Sequence, residues 1–195
     1  MVSGRHNPIR PGILVSYKTM TDKLKELLAE GYRARRENRL SASRAVFIDV
    51  VRKASEEGDR SSLAEALGGL AEAEDGIGNC AAARHHYASA AALYREIGPP
   101  KMLACTLRRE ADLWMQTNQS EEAEPLYLEA GNVYRQSGEE SALDLAHTLR
   151  ALALIREAKG ETTAARSLWQ EACEIYARLD VKDALAECNR KLSLP

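Results

Sequence analysis

The stretch GNCAAARHHYASAAALY, Gly78–Tyr94, decides how the whole chain reads. It holds one Cys, two adjacent His and seven Ala in seventeen residues. Either Cys80, His85 and His86 form a metal or catalytic centre, or this is a helix whose small side chains let a second helix come close. Helical residues share a face when they lie three or four apart. Cys80 to His85 is five residues and Cys80 to His86 is six, about 140° and 240° around a helix of ~3.6 residues per turn. These side chains do not converge, whereas a zinc site needs three or four ligands that do. No catalytic and no metal-ligating residue is expected in this segment.

Sliding the chain along itself accounts for the alanines instead. At shifts of 40, 40 and then 42 residues, columns appear. Leu27, Leu67, Leu107 and Leu149 form one; Gly31, Ala71, Ala111 and Ala153 form the next. Ser43, Ala83, Ala123 and Ala165 are followed by an aromatic column, Phe47, Tyr87, Tyr127 and Trp169. Val50, Ala90, Ala130 and Ala172, then Ala54, Tyr94, Tyr134 and Tyr176, complete the set. Spacings within each unit are helical, as in Leu107, Ala111 and Trp114 at i, i+4, i+7. Asn38, Gly78, Asn118 and Gly160 break each unit in two, and Gly58, Gly98, Gly138 and Asp180 separate the units. Gly, Asn and Asp tolerate the left-handed conformation that ends a helix, and Ser120 and Thr162 are placed to cap the helices that follow. Pro125 predicts a local kink within a helix. Each unit is a helix, a tight turn and a second helix. One unit alone leaves half its apolar face wet, so the units must stack.

These columns resemble the tetratricopeptide repeat family, whose pattern puts Gly or Ala in the first helix and Ala, aromatic, Ala in the second. Ala71 with Ala83, Tyr87 and Ala90 matches it, as do Ala111 with Ala123, Tyr127 and Ala130, and Ala153 with Ala165, Trp169 and Ala172. The first unit departs from it at Ser43 and Val50. Against the common period of about 34, the longer spacing is similar to the branch typified by kinesin light chain. The resemblance covers roughly residues 22–192. It implies an all-α fold, a right-handed α-α superhelix of about four helix-turn-helix repeats (22–59, 60–100, 101–140, 141–181) closed by a capping helix, 182–192. Residues 1–21 are expected to be an arm, flexible near 1–11 and partly docked from Ile13 to Tyr17, ahead of a single domain over 22–195.

Composition agrees. Aromatics are only 5% against 45% apolar residues, so Ala and Leu carry the core and favour helices over sheets. A net charge of −2 gives no basic excess to attract nucleic acid. Residues 1–40 alone carry nine Lys/Arg and four Asp/Glu, a weak pointer to an acidic partner. No apolar run approaches the ~18 residues of a membrane span, and no signal-peptide pattern opens the chain. Four scattered Cys suit reduced thiols and a cytoplasmic location. No phosphate-cradling loop or nucleophile–base set appears, so neither a cofactor nor an enzyme activity is expected. For Cys105, Cys173 and Cys188 a structural role is expected, with Cys173 in a small buried column.

In the resembled family, first helices line a concave groove that holds a peptide. One residue past the Leu column, that groove reads Leu28, Gly68, Arg108, Arg150 and Arg190; the next column reads Ala29, Gly69, Arg109, Ala151 and Lys191. Tyr32, Glu72, Asp112 and Leu154 lie four residues beyond the first column, and Lys25, Glu65, Cys105, His147 and Glu187 three before it. With first helices ~10 Å apart, the arginine row offers a cation every three or so residues of an extended peptide at ~3.3 Å each. Arg forks suit carboxylate or phosphate. The candidate groove residues are therefore Tyr32, Gly68, Glu72, Arg108, Arg109, Asp112, His147, Arg150 and Arg190. Two uses are open for the arginines: contact with an acidic or C-terminal peptide segment, or a place in solvent or in pairs with Asp112, Glu110 and Glu157. Gly68 and Gly69 are likewise open to close helix approach or to room for a ligand. The family's carboxylate clamp uses a Lys/Asn pattern that is absent here, so chaperone-tail binding is not supported. Three functional readings follow: a peptide- or protein-binding scaffold, a peptide-responsive sensor, and a structural homodimer.

Overall fold

The computed structural model describes residues 11–193, with side chains from Asp22 onward. Its helices are α1 (Pro11–Arg36), α2 (Leu40–Glu57), α3 (Arg60–Ile77), α4 (Cys80–Ile97), α5 (Pro100–Gln116), α6 (Ser120–Ser137), α7 (Ala142–Ala158), α8 (Thr162–Arg178) and α9 (Lys182–Leu192). A short 3-10 turn, Glu139–Ser141, precedes α7, and no strand occurs among the described residues. Each helix packs on the next, and α1 also meets α3 directly. The result is an all-α repeat superhelix of four helix pairs with α9 laid on α8. α1 reaches back to Pro11, ahead of residue 22 where the repeat pattern starts. The expectations of flexibility at the start of the arm and of docking by Ile13–Tyr17 fall outside the described residues and side chains.

Every turn holds a residue at positive φ. Asn38, Asn118 and Asp180 hold φ of 57°, 57° and 54°, and Gly58, Gly78, Gly98, Gly138 and Gly160 are positive as well. A left-handed residue lets the next amide reach back to the last helical turn. The Gln119 amide reaches the Trp114 carbonyl at 2.9 Å, Glu161 reaches Arg156 at 2.9 Å, and Asn79 reaches Glu74 at 2.8 Å. The turn is then so short that Gln119 and Glu161 take the N-cap positions, without side-chain capping. Ser120 and Thr162 become the first helical residues and do not cap, contrary to the sequence expectation. Asp59 is a side-chain cap, accepting from the Ser62 amide at 3.0 Å. α6 runs unbroken past Pro125, which removes one backbone donor without ending the helix.

The columns form the core. The three Ala of each later unit are buried, and so are Phe47, Tyr87, Tyr127 and Trp169. Small side chains bring helix axes to the near end of the ~8–10 Å range, and the aromatic ring fills the space beside each contact. The first unit packs differently. A Cβ on Gly31 would lie 2.8 Å from the Phe47 ring and one on Gly69 only 2.4 Å, so the ring is clasped between two bare helix backbones. α1 turns Leu24 and Leu28 into this cluster with Phe47, Val50 and Leu70. Leu28, read from the sequence as a groove residue, is therefore core, and Leu27 is only partly buried. The glycine pair also divides. Gly69 serves close packing, whereas a Cβ on Gly68 would meet nothing within 4 Å.

Candidate functional site

On the face lined by first helices, α5 and α7 part to leave an open depression of about 640 Å³. Arg108, Asp112, Met115 and Gln116 enter it from α5, and His147, Arg150, Ala151 and Leu154 from α7. Tyr127 of α6 lines it between them. Repetition explains the convergence. Arg108 and Arg150 occupy equivalent positions in successive units, so stacking sets them on neighbouring helices of one face. Polar groups gather beside the apolar Met115, Ala151 and Leu154, which suits a ligand with a charged end and an apolar body.

Neither arginine is free. Arg108, with only 15% of its side chain exposed, donates to Asp112 at 3.3 Å and to Asp144 at 3.5 Å. Those bonds are long for charged partners, which prefer about 2.7–2.9 Å. Arg150 is held harder, forked onto Glu187 of α9 at 2.7 and 2.9 Å. The Arg150 hydrogen bonds hold the Glu187 carboxyl below its ordinary value. The sequence reading offered Glu110 and Glu157 as partners beside Asp112. The structure keeps Asp112 and substitutes Asp144 and Glu187, because pairing runs along the stack from one first helix to the next. Glu157 instead binds Lys191 at 2.6 Å and accepts from the Trp169 indole at 2.8 Å.

The remaining groups are anchored from below. The Tyr127 hydroxyl donates to Asp112 at 2.6 Å, fixing the carboxylate between phenol and guanidinium. His147 Nδ1 lies 2.9 Å from the Tyr176 hydroxyl. Burial first, then the Arg108 charge, holds the His147 imidazole below its ordinary value. Asp112 at i+4 from Arg108 was legible in the sequence. Tyr127, Tyr176 and Asp144 were not singled out as site residues, although both tyrosines belong to recurring columns.

Four candidate residues, Arg108, Asp112, His147 and Arg150, thus come together. The others do not join them. Arg109 is exposed, with no ion pair among the described residues. Arg190 lies with Glu187, Lys191 and Ser193 in a separate depression at the end of the stack. Near the other end, Glu72 pairs with Arg35 at 2.5 Å, and burial pushes its carboxyl up against the opposing Arg35 and Arg109 charges. Tyr32 rests edge-on against Phe47, ring centres 5.1 Å apart. Gly68 faces open space.

The histidine doublet forms no centre. His85 is exposed, His86 is half-buried, and their rings meet edge-on at 5.7 Å. No group of three His, Cys, Asp or Glu is placed to hold a metal among the described residues. Cys188 is buried, and burial pushes its thiol up to about 11. Cys173, expected to be buried, is partly exposed with Sγ 3.3 Å from Asn189 Oδ1, because the short α9 covers α8 incompletely. Among the described residues, no helix is long and apolar enough to cross a membrane.

No family model and no curated protein matches the sequence. Solved structures do match in shape. The nearly identical TPR-like repeats of a Podosopora anserina chain described as a kinesin light chain align at 14% identity, covering 87% of this chain and 83% of that one, with a TM-score of 0.70. BtubC from P. vanneervenii aligns at 16% identity, covering 90% and 79%, with a TM-score of 0.69. A STAND signal-transduction ATPase with a tetratricopeptide repeat sensor, from Pyrococcus horikoshii, aligns at 13% identity over 89% of this chain and 27% of that one, with a TM-score of 0.77. At such identities the likeness concerns fold, and the fold of this chain is the TPR-type repeat superhelix.

Proposed function

We propose that this chain is a non-catalytic scaffold whose first-helix groove binds a peptide or protein segment, with an acidic or C-terminal stretch as the preferred occupant. The observation that carries this reading is the open depression between α5 and α7, where polar groups from two successive repeats meet an apolar wall. A second observation supports the acidic preference. Arg108 holds its two carboxylates at 3.3 and 3.5 Å, so an incoming carboxylate can replace loose bonds with short ones. Four free thiols suit a cytoplasmic location for the same scaffold. The likeness to a STAND protein with a repeat sensor favours a second reading, in which the superhelix reports binding to another domain or chain.

Charge reversal tests the groove. Arg108→Glu should lower affinity for an acidic peptide array at least tenfold and flatten its salt dependence, while peptides with Gln in place of Glu bind both proteins alike. Equal binding by wild type and variant at two salt concentrations would remove the groove from consideration. Small-angle scattering with and without peptide separates sensor from scaffold, since only the sensor requires a change in compaction.

A further inference from the structure

Resting on the groove reading, the geometry points to His147 as a specificity-determining residue: an anionic group of the bound segment enters the α5–α7 depression against Arg108 and is received by a protonated His147, so binding takes up a proton. The imidazole is placed for this. It lines the depression, and its Nδ1 edge is tied to the Tyr176 hydroxyl at 2.9 Å. A phenol can donate to a neutral ring nitrogen or accept from a protonated one, so that tie survives the change of charge. Nε2 is left as the edge for a ligand.

The charged groups around it set the direction. Arg108 and Asp112 face it from α5, Asp144 and Arg150 from α7, and Tyr176 from α8. Glu187 of α9 binds Arg150, and Tyr127 of α6 binds Asp112. Two arginines thus stand against three carboxylates, one negative charge in excess while His147 is neutral. A bound carboxylate would double that excess, and protonating His147 restores it. Without ligand, burial and Arg108 keep the imidazole below its ordinary value of 6.5, hence neutral near pH 7. A bound anion opposes both effects. A rise of about one pKa unit on binding equals about a tenfold gain in affinity, present below the free-state pKa and lost as pH rises through the bound-state pKa. The device discriminates between charged and neutral segments, because an amide in the same place draws no proton.

The test uses the full chain and a fluorescein-labelled hexapeptide of alternating Glu and Leu, with Gln replacing Glu in a control peptide. Anisotropy should show affinity rising about tenfold from about pH 8 to about pH 5.5, and His147→Gln should remove that rise. In wild-type protein, the imidazole ring resonances should titrate about one unit higher with saturating peptide, a measurement that needs no variant to fold. An unchanged pH slope in His147→Gln, or an imidazole titration indifferent to peptide, overturns the proton link and leaves the groove standing. Absence of binding at both pH values overturns the groove reading and this inference together.

Discussion

The aromatic column packs in two ways. In the first unit the ring is Phe47, clasped between Gly31 and Gly69, where α1 and α3 meet directly. Nothing polar is carried through, and the ring closes the seam between the first helices. In the third unit the ring is Tyr127, whose hydroxyl crosses to the first-helix face and binds Asp112 at 2.6 Å. There α5 and α7 part and the depression opens. Between these two units the difference lies in one atom of a packing column. In the first unit the ring ends in carbon and seals the seam, and in the third it ends in oxygen and is matched by a carboxylate of the first helix.

Three substitutions probe this contrast. Gly69→Ala carries the largest expected effect. Alanine is the better helix former by about 1 kcal/mol, yet its Cβ would press to 2.4 Å from a fully buried ring. The overpacking cost of roughly 1–3 kcal/mol should win, lowering the urea midpoint. A midpoint that holds or rises would mean the Phe47 seam is slack. Tyr127→Phe makes the third unit resemble the first. It should cost about 1 kcal/mol, the worth of a hydrogen bond whose acceptor is partly exposed. It should also let Arg108 tighten on Asp112, so acidic peptide binds more weakly; unchanged binding would show that the polar tip does not shape the site. Gly68→Ala is the mildest. Its Cβ meets nothing, so helix propensity alone acts and stability should rise by about 0.5–1 kcal/mol in the same urea titration. Opposite signs at two adjacent glycines is the sharpest form of the comparison.

The ion pairs teach a related lesson. On the second helices, Arg95 forks onto Glu129 at 3.0 and 2.8 Å and Arg135 onto Glu171 at 3.1 and 2.9 Å, good geometry in exposed positions. Exposed pairs of this kind are worth about 0.2–1 kcal/mol even when well formed. Arg108, shielded and poorly matched, contributes less to order and is better placed to accept a new partner. Counting arginines in a column could not separate these cases, because the column fixes where each side chain starts and says nothing of which carboxylate answers it.

Period and side-chain size were enough to specify the architecture. Small residues recurring on helical spacing leave helix pairs no better way to bury their faces than to stack, and Gly, Asn or Asp at each break fixes the turn. Asp112 beside Arg108 was readable for the same reason, being a contact within one helix. Tertiary structure alone decided which arginines are engaged, that Leu28 turns inward, that Gly68 and Gly69 have opposite roles, and where the groove opens. These depend on contacts distant in sequence, such as Gly69–Phe47 at 22 residues, His147–Tyr176 at 29 and Arg150–Glu187 at 37, whose partners lie on different helices. Local periodicity sets the face each residue occupies. Only the packed stack sets the distance between faces, and electrostatic and steric energies depend on that distance.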